Sequence, residues 1–128
     1  MNLIYEKETD KSFDEAIASV KEELQKRQFG VLWELNMKDK LSEHDLELDG
    51  KAVILEVCNP QKAHTVLNTL IKVGYFLPCK VAIFEQKGKT TVGTLLPSEL
   101  MTQMSGADLS DVAQEVEQVL RDAVDAAV

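Results

Sequence analysis

The alternation of strand-like and helix-like patterns is the feature that most constrains the fold of this chain. Short segments with the period of a strand are separated by longer segments in which apolar residues recur every three or four positions, as on one face of a helix. The predicted strands span residues 3–5, 31–37, 52–58, 80–85 and 90–96, and the predicted helices span 12–28, 59–74, 98–104 and 109–124. Apart from the short helix at 98–104, the order is β-α-β-β-α-β-β-α. This order predicts an α+β sandwich in which helices cover a mostly antiparallel sheet.

Residues with known capping preferences mark the ends of the predicted helices. Ser12 followed by Glu15 forms a capping box at the start of the first helix. Gly30 and Gly74 are predicted to end the first and second helices, because glycine readily takes the left-handed conformation found there.

The segment 31–37 alternates in the manner of a half-buried strand. Val31, Trp33 and Leu35 are predicted to face one side, and Glu34 the other. Trp33 is expected to lie in the core or in a dimer interface. Glu34 is expected on the solvent face, with a carboxylate pointing into a cleft as the alternative.

Length and composition predict one domain that builds its own core. The chain has 128 residues, of which 45% are hydrophobic, and a formal net charge of −8. The acidic balance argues against a nucleic-acid partner and against docking on an anionic membrane, since both need a positive surface. Residues 1–97 carry a net charge of −2 and residues 98–128 one of −6.

The uneven charge divides the single domain into a core at 1–104 and an acidic amphipathic helix at 105–128. Asp108 is predicted to cap this helix. The helix packs on its own domain or across a subunit interface. Its last turn is expected to fray, because Asp122 and Asp125 oppose the helix dipole there.

Other sequence signals predict a cytoplasmic protein without a metal site. No apolar run reaches the ~18 residues of a membrane span, and the N-terminus lacks the pattern of a secretory signal. The two cysteines are therefore expected to be free thiols in a reducing cytosol. No P-loop, dinucleotide fingerprint, HExxH or CxxC motif is present, and His44 and His64 lack a second ligand at metal spacing. The sequence does not identify a cofactor.

Several segments resemble a known family in order and spacing. They are Tyr5 with the SFDEA sequence at 12–16, FGVLWE at 29–34, the CNP sequence at 58–60 followed by Ala63, and LPC at 77–79. Over residues 1–104 the chain resembles the bacterial and archaeal domain-of-unknown-function family 302. Gln28 stands where the family usually has glycine, and His64 where it often has tyrosine or another bulky residue.

The resemblance implies a compact α+β fold like half of the TATA-binding protein, often in a dimer. It implies no activity, because the biochemistry of the family is not established. No role of His64 is implied either, since that residue departs from the family pattern.

Cys58 and Cys79 are the candidate catalytic residues. Cys58 ends a strand and directly precedes a helix start, whose partial positive charge favours a thiolate. Cys79 lies at the entry to another strand. If the two strands are neighbours in the sheet, both sulfurs lie at the same end of it. A redox pair, a thiol-dependent ligand site and a soft-metal site are consistent with this placement. Two small buried apolar side chains are the simpler interpretation.

The neighbours of these cysteines add candidates for ligand binding. Asn59 and Pro60 are most simply a helix cap and first turn, but the N–H groups of a helix start can also bind a small anion. His64 lies six residues after Cys58 and could act as its base, although no third group to orient it is evident.

We therefore expect a small non-catalytic ligand-binding or interaction module that forms a homodimer. Its candidate site comprises Cys58, Asn59, Pro60, Cys79, Glu34 and His64, and its ligand would be a small anionic or thiol-reactive molecule. The alternative is a thiol-based redox or detoxification protein that uses Cys58 and Cys79. An enzymatic role is not excluded.

Overall fold

The computed structural model describes residues 3–105 and 109–128. Its strands are β1 (Ile4–Thr9), β2 (Gly30–Asn36), β3 (Lys51–Cys58), β4 (Cys79–Gln86) and β5 (Lys89–Leu95). Its helices are α1 (Phe13–Lys26), α2 (Met37–Ser42), α3 (Pro60–Thr69), α4 (Pro97–Ser105) and α5 (Ser110–Ala127), with a 3₁₀ segment at Ile71–Tyr75.

The five strands form one sheet in the order β1-β5-β4-β3-β2, and every neighbouring pair is antiparallel. Helices α1 and α5 pack on one face, where they contact each other and the strands. This arrangement confirms the predicted α+β class with an antiparallel sheet covered by helices.

The apolar side chains form two clusters. The main cluster lies between the sheet and the two covering helices, and the strands supply its alternate residues Val53, Leu55 and Val57. The second cluster lies beyond one end of the sheet and is centred on Val66, Val73, Met101, Leu109 and Ala113. Because α5 contributes residues to both clusters, this helix joins them.

The first helix ends differently from the prediction. Gln28, rather than Gly30, takes the left-handed conformation, with a φ of 66°. The N–H of Phe29 donates to the carbonyl of Leu24 and that of Gln28 to the carbonyl of Gln25, which is the Schellman arrangement. Gly30 instead begins β2.

The helix predicted at residues 59–74 corresponds to α3, which is shorter than predicted. It ends at Thr69, because Leu70 adopts an extended conformation, and the chain continues as the 3₁₀ segment. Because of this break, the Val73 side chain packs in the second cluster, while Ile71 stays exposed. Gly74 therefore lies within the 3₁₀ segment and does not end the α-helix.

Strand β2 departs from simple alternation. Val31 pairs with Val57 and Trp33 with Glu56, so the pairing register shifts at Leu32. This bulge places Val31 against the main cluster and Trp33 on the opposite face of the sheet. The expectation that Val31 and Trp33 share a face was therefore wrong.

The C-terminal helix packs on its own domain, and its last turn is held in place. Lys11 Nζ donates to the carbonyl of Ala127 at 2.8 Å, and Asp125 accepts from the Tyr5 hydroxyl at 2.6 Å. Ala127 is fully buried. The acidic residues alone predicted that this last turn frays. The contacts described above offset the unfavourable interaction of these carboxylates with the helix dipole. The predicted cap at Asp108 lies outside the described residues.

No helix among the described residues is both long enough and apolar enough to cross a membrane.

Candidate functional site

The pairing of β3 with β4 brings the two motif cysteines close together. Val57 lies directly opposite Cys79, so Cys58 is offset from Cys79 by one residue, and strand alternation turns its side chain towards the other face of the sheet. Both thiols are free and partly buried. Cys79 packs against the main cluster, as the side-chain alternation of β4 requires.

A small cavity lies where the two motif segments meet. It is partly open to solvent and its volume is about 20 Å³, so a ligand larger than a water molecule would be enclosed only in part. Cys58 and Asn59 line it from one motif, and Leu77, Pro78 and Cys79 from the other. The cavity lies between the two clusters, since Val57 and Val116 of the main cluster and Val66 and Met101 of the second also line it.

Burial makes both thiols weak acids. It raises the pKa of Cys79 to about 11, with a further contribution from the neighbouring Cys58, while Lys80 opposes the shift. Burial also raises the pKa of Cys58. The sequence had suggested that the helix start would lower the pKa of Cys58, whereas desolvation of the thiolate raises it.

The start of α3 has no free N–H group for an anion. Pro60 has no N–H, and the side-chain oxygen of Asn59 accepts from the N–H groups of Gln61 and Lys62 at 3.0 and 3.2 Å. The N–H of Ala63 donates to the Asn59 carbonyl. Asn59 and Pro60 therefore act as the cap and first turn of the helix.

Among the described residues that line the cavity, Lys62 is the cationic one, and it is already paired. Lys62 forms an ion pair with Glu115 of α5, which connects α3 to the C-terminal helix. Because the charge of Lys62 is neutralised and the other lining groups are apolar or uncharged, the cavity favours a small neutral molecule over an anion.

Three of the predicted candidates do not line this cavity. Pro60 and His64 are exposed on α3. Glu34 lies on β2 and forms an ion pair with Lys21 of α1, so it holds a covering helix to the sheet. The structure thus brings together Cys58, Asn59 and Cys79 and leaves the other three apart.

Sequence reasoning missed the apolar residues that complete the cavity. Phe29, Val66, Met101 and Val116 come from four separate parts of the chain. No local pattern connects them, because their proximity depends on how α3, α4 and α5 pack together. Within residues 3–105 and 109–128, no group of three or more His, Cys, Asp or Glu side chains could hold a metal ion.

Comparisons with known proteins agree with the sequence resemblance. The family model described as "Domain of unknown function DUF302" matches residues 5–127, and thus extends through α5. The crystal structure of an uncharacterized conserved DUF302 protein from Bacillus stearothermophilus is similar, with a TM-score of 0.94, 36% sequence identity and coverage of 100% of both chains. A search of curated proteins finds no match. The chain therefore belongs to the DUF302 family.

Proposed function

We propose that this protein is a small non-catalytic binding module that works as a homodimer and holds a small neutral ligand between its CNP and LPC segments. The observation that carries the proposal is the cavity lined by Cys58, Asn59 and Cys79. Both the CNP and the LPC segment contribute residues to this cavity, and its lining is almost entirely apolar.

The chemistry of the lining defines the ligand class. The thiols are protonated at neutral pH, since burial raises the pKa of both. The helix start is saturated by Asn59, and the charge of Lys62 is paired. A small apolar or weakly polar molecule fits these surroundings better than the anionic ligand suggested by the sequence.

The alternative, a thiol-based redox or detoxification protein, is supported by the presence of both cysteines in one cavity. The raised pKa values of Cys58 and Cys79 argue against this alternative, because the thiolate is the nucleophile in thiol exchange. We therefore favour binding without thiol chemistry, in the cytoplasm of the cell.

Xenon is a suitable probe of the cavity, because it enters apolar cavities without needing a polar partner. Under xenon pressure, we expect saturable chemical-shift changes in the methyl groups of Val57, Val66 and Met101. In the variant Ala63→Leu, the larger side chain fills the cavity from α3 and these changes should be lost. Methyl shifts that do not respond to xenon in the wild-type protein would contradict the proposed ligand site.

A further inference from the structure

Helices α1 and α5 cover one face of the sheet, and the opposite face presents large apolar side chains that are exposed. Strand alternation and pairing define its members. From β1 to β2, one row across this face is Glu6, Gly93, Ala82, Ile54 and Leu35, in which each residue pairs with the next. We call this surface the open face.

The centre of the open face is apolar and is formed by residues with little or no side chain. Gly93 and Ala82 occupy adjacent positions on β5 and β4. Gly93 has no room for a side chain, because a Cβ there would lie 2.9 Å from the Cβ of Glu6. The middle of the face therefore forms a shallow trough between larger residues.

Large apolar side chains border this trough and reach into solvent. Ile4 is 57% exposed, Trp33 54%, Phe84 39% and Leu95 37%. They come from four of the five strands, so the exposed apolar surface extends across the whole sheet. Several large apolar side chains exposed on one face are typical of an interaction site.

The charges of the open face are largely balanced. Lys80 Nζ lies 2.9 Å from a carboxylate oxygen of Glu56, and the two neutralise each other near the middle of the face. Glu6 and Glu8 of the edge strand β1 line a concavity of about 600 Å³ together with Asp49 and the hairpin residues Lys87 and Lys89. Acidic and basic groups thus flank the same concavity.

We infer that the open face binds a second copy of this chain, face to face; this inference rests on the proposed homodimer. Two chains with a net charge of −8 repel one another over most of their surface, but far less where charges are balanced. A second copy also offers protruding Trp33 and Phe84 side chains that match the shallow trough at Gly93 and Ala82.

The size of the face fits a stable dimer. Five strands about 4.8 Å apart, each about 20–26 Å long, give a flat area of roughly 500–600 Å². The accessible area of such a corrugated surface is larger than its flat area. It is therefore close to the ~800 Å² that each partner buries in a standard interface.

Trp33 provides a direct test, because it is the single tryptophan of the chain and lies on the open face. Acrylamide quenching of its fluorescence is measured from about 1 µM to about 1 mM protein, together with the molecular mass by light scattering. We expect the mass to double and the quenching constant to fall roughly twofold over the same concentrations, because the partner covers the indole.

Three variants test the position of the interface. Phe84→Glu and Leu95→Glu put a charge on the open face, and Ile71→Glu puts the same charge on an exposed apolar residue of the 3₁₀ segment. The first two should weaken dimerisation at least tenfold, whereas the third should not change it. Circular dichroism of each variant verifies folding.

The outcomes separate the inference from the proposal on which it rests. If the wild-type protein stays monomeric and its quenching constant is independent of concentration, both the homodimer and this interface are overturned. If the wild-type protein dimerises while the two open-face variants still dimerise as well, only the assignment to the open face is overturned. Xenon binding to the cavity tests the ligand site separately.

Discussion

Gln28 shows at the scale of one residue how a family position can be understood physically. Its φ of 66° is a conformation that costs a non-glycine residue about 1–2 kcal/mol. The family usually has glycine at this position, which is the residue expected at C′ of a Schellman motif. The chain thus retains the turn and tolerates its strain, and Phe29 and Leu24 remain buried beside it.

We predict that Gln28→Gly stabilises the protein by about 0.5–1 kcal/mol, because it relieves the left-handed strain at C′. The free energy of unfolding in urea measures the effect. Gln25→Gly is the matched control, since Gln25 is exposed within α1 and glycine there should cost about 1 kcal/mol. Equal destabilisation by both variants would contradict this explanation.

Cys79 allows a second prediction at the same scale. With its pKa raised to about 11, the thiol should react with iodoacetamide at pH 8 roughly two orders of magnitude more slowly in the folded protein than in the unfolded chain. Mass spectrometry of Cys58→Ser, in which Cys79 is the only thiol, measures the rate. Alkylation at the same rate in the folded protein and in urea would support the redox alternative.

The candidate site could be predicted only in part from single residues. The motif cysteines were expected near each other, and the strand pairing places them one residue out of register on neighbouring strands. Their pKa values could not be anticipated, because desolvation depends on neighbours such as Met101 and Val116 that are remote in sequence. The likeness to half of the TATA-binding protein stays a prediction.

At the scale of elements, the strands and helices were largely predictable and their irregularities were not. Alternation identified β2, and periodicity identified α1 and α5. Nothing in the sequence indicated the bulge in β2. The bulge changes only how the strand pairs with β3 at Leu32, and Leu32 is otherwise an ordinary strand residue. The break after Thr69 was also hidden, since the periodic apolar residues continue through Leu70 and Ile71.

The attachment of α5 to β1 gives a prediction about pH. Hydrogen bonds from Lys7 and Tyr5 lower the pKa of Asp125 below its usual value of 3.8. A carboxyl group with a lowered pKa in the folded state stabilises the protein above the unfolded pKa, and the contribution is lost as pH falls through the folded value.

We therefore expect Asp125→Asn to lower the melting temperature at pH 7 and to have progressively less effect as the pH falls below 3.8. Asp122→Asn removes the same charge from the same end of α5, where the carboxylate accepts a hydrogen bond from Gln118 of the same helix. This control should show little destabilisation. An effect of Asp125→Asn that is constant from pH 7 to pH 2 would rule out the linkage.

At the scale of the whole molecule, α5 determines how the two apolar clusters depend on each other. Its first turns place Leu109 and Ala113 in the second cluster, and its later turns place Leu120 and Val124 in the main cluster. A rigid helix cannot leave one cluster without disturbing the other. The two clusters should therefore unfold as one cooperative unit, with the cavity at their boundary.

Leu120→Ala tests this cooperativity, because Leu120 is fully buried in the main cluster and far along α5 from the second. We expect a loss of about 2–5 kcal/mol in unfolding free energy. Amide exchange should accelerate by the same factor in β3 and in the 3₁₀ segment around Val73, since both open only on global unfolding. Gln114→Ala, an exposed position on the same helix, should leave both rates unchanged. Faster exchange in β3 alone would mean that the second cluster unfolds independently, and that the cavity can open without loss of the sheet.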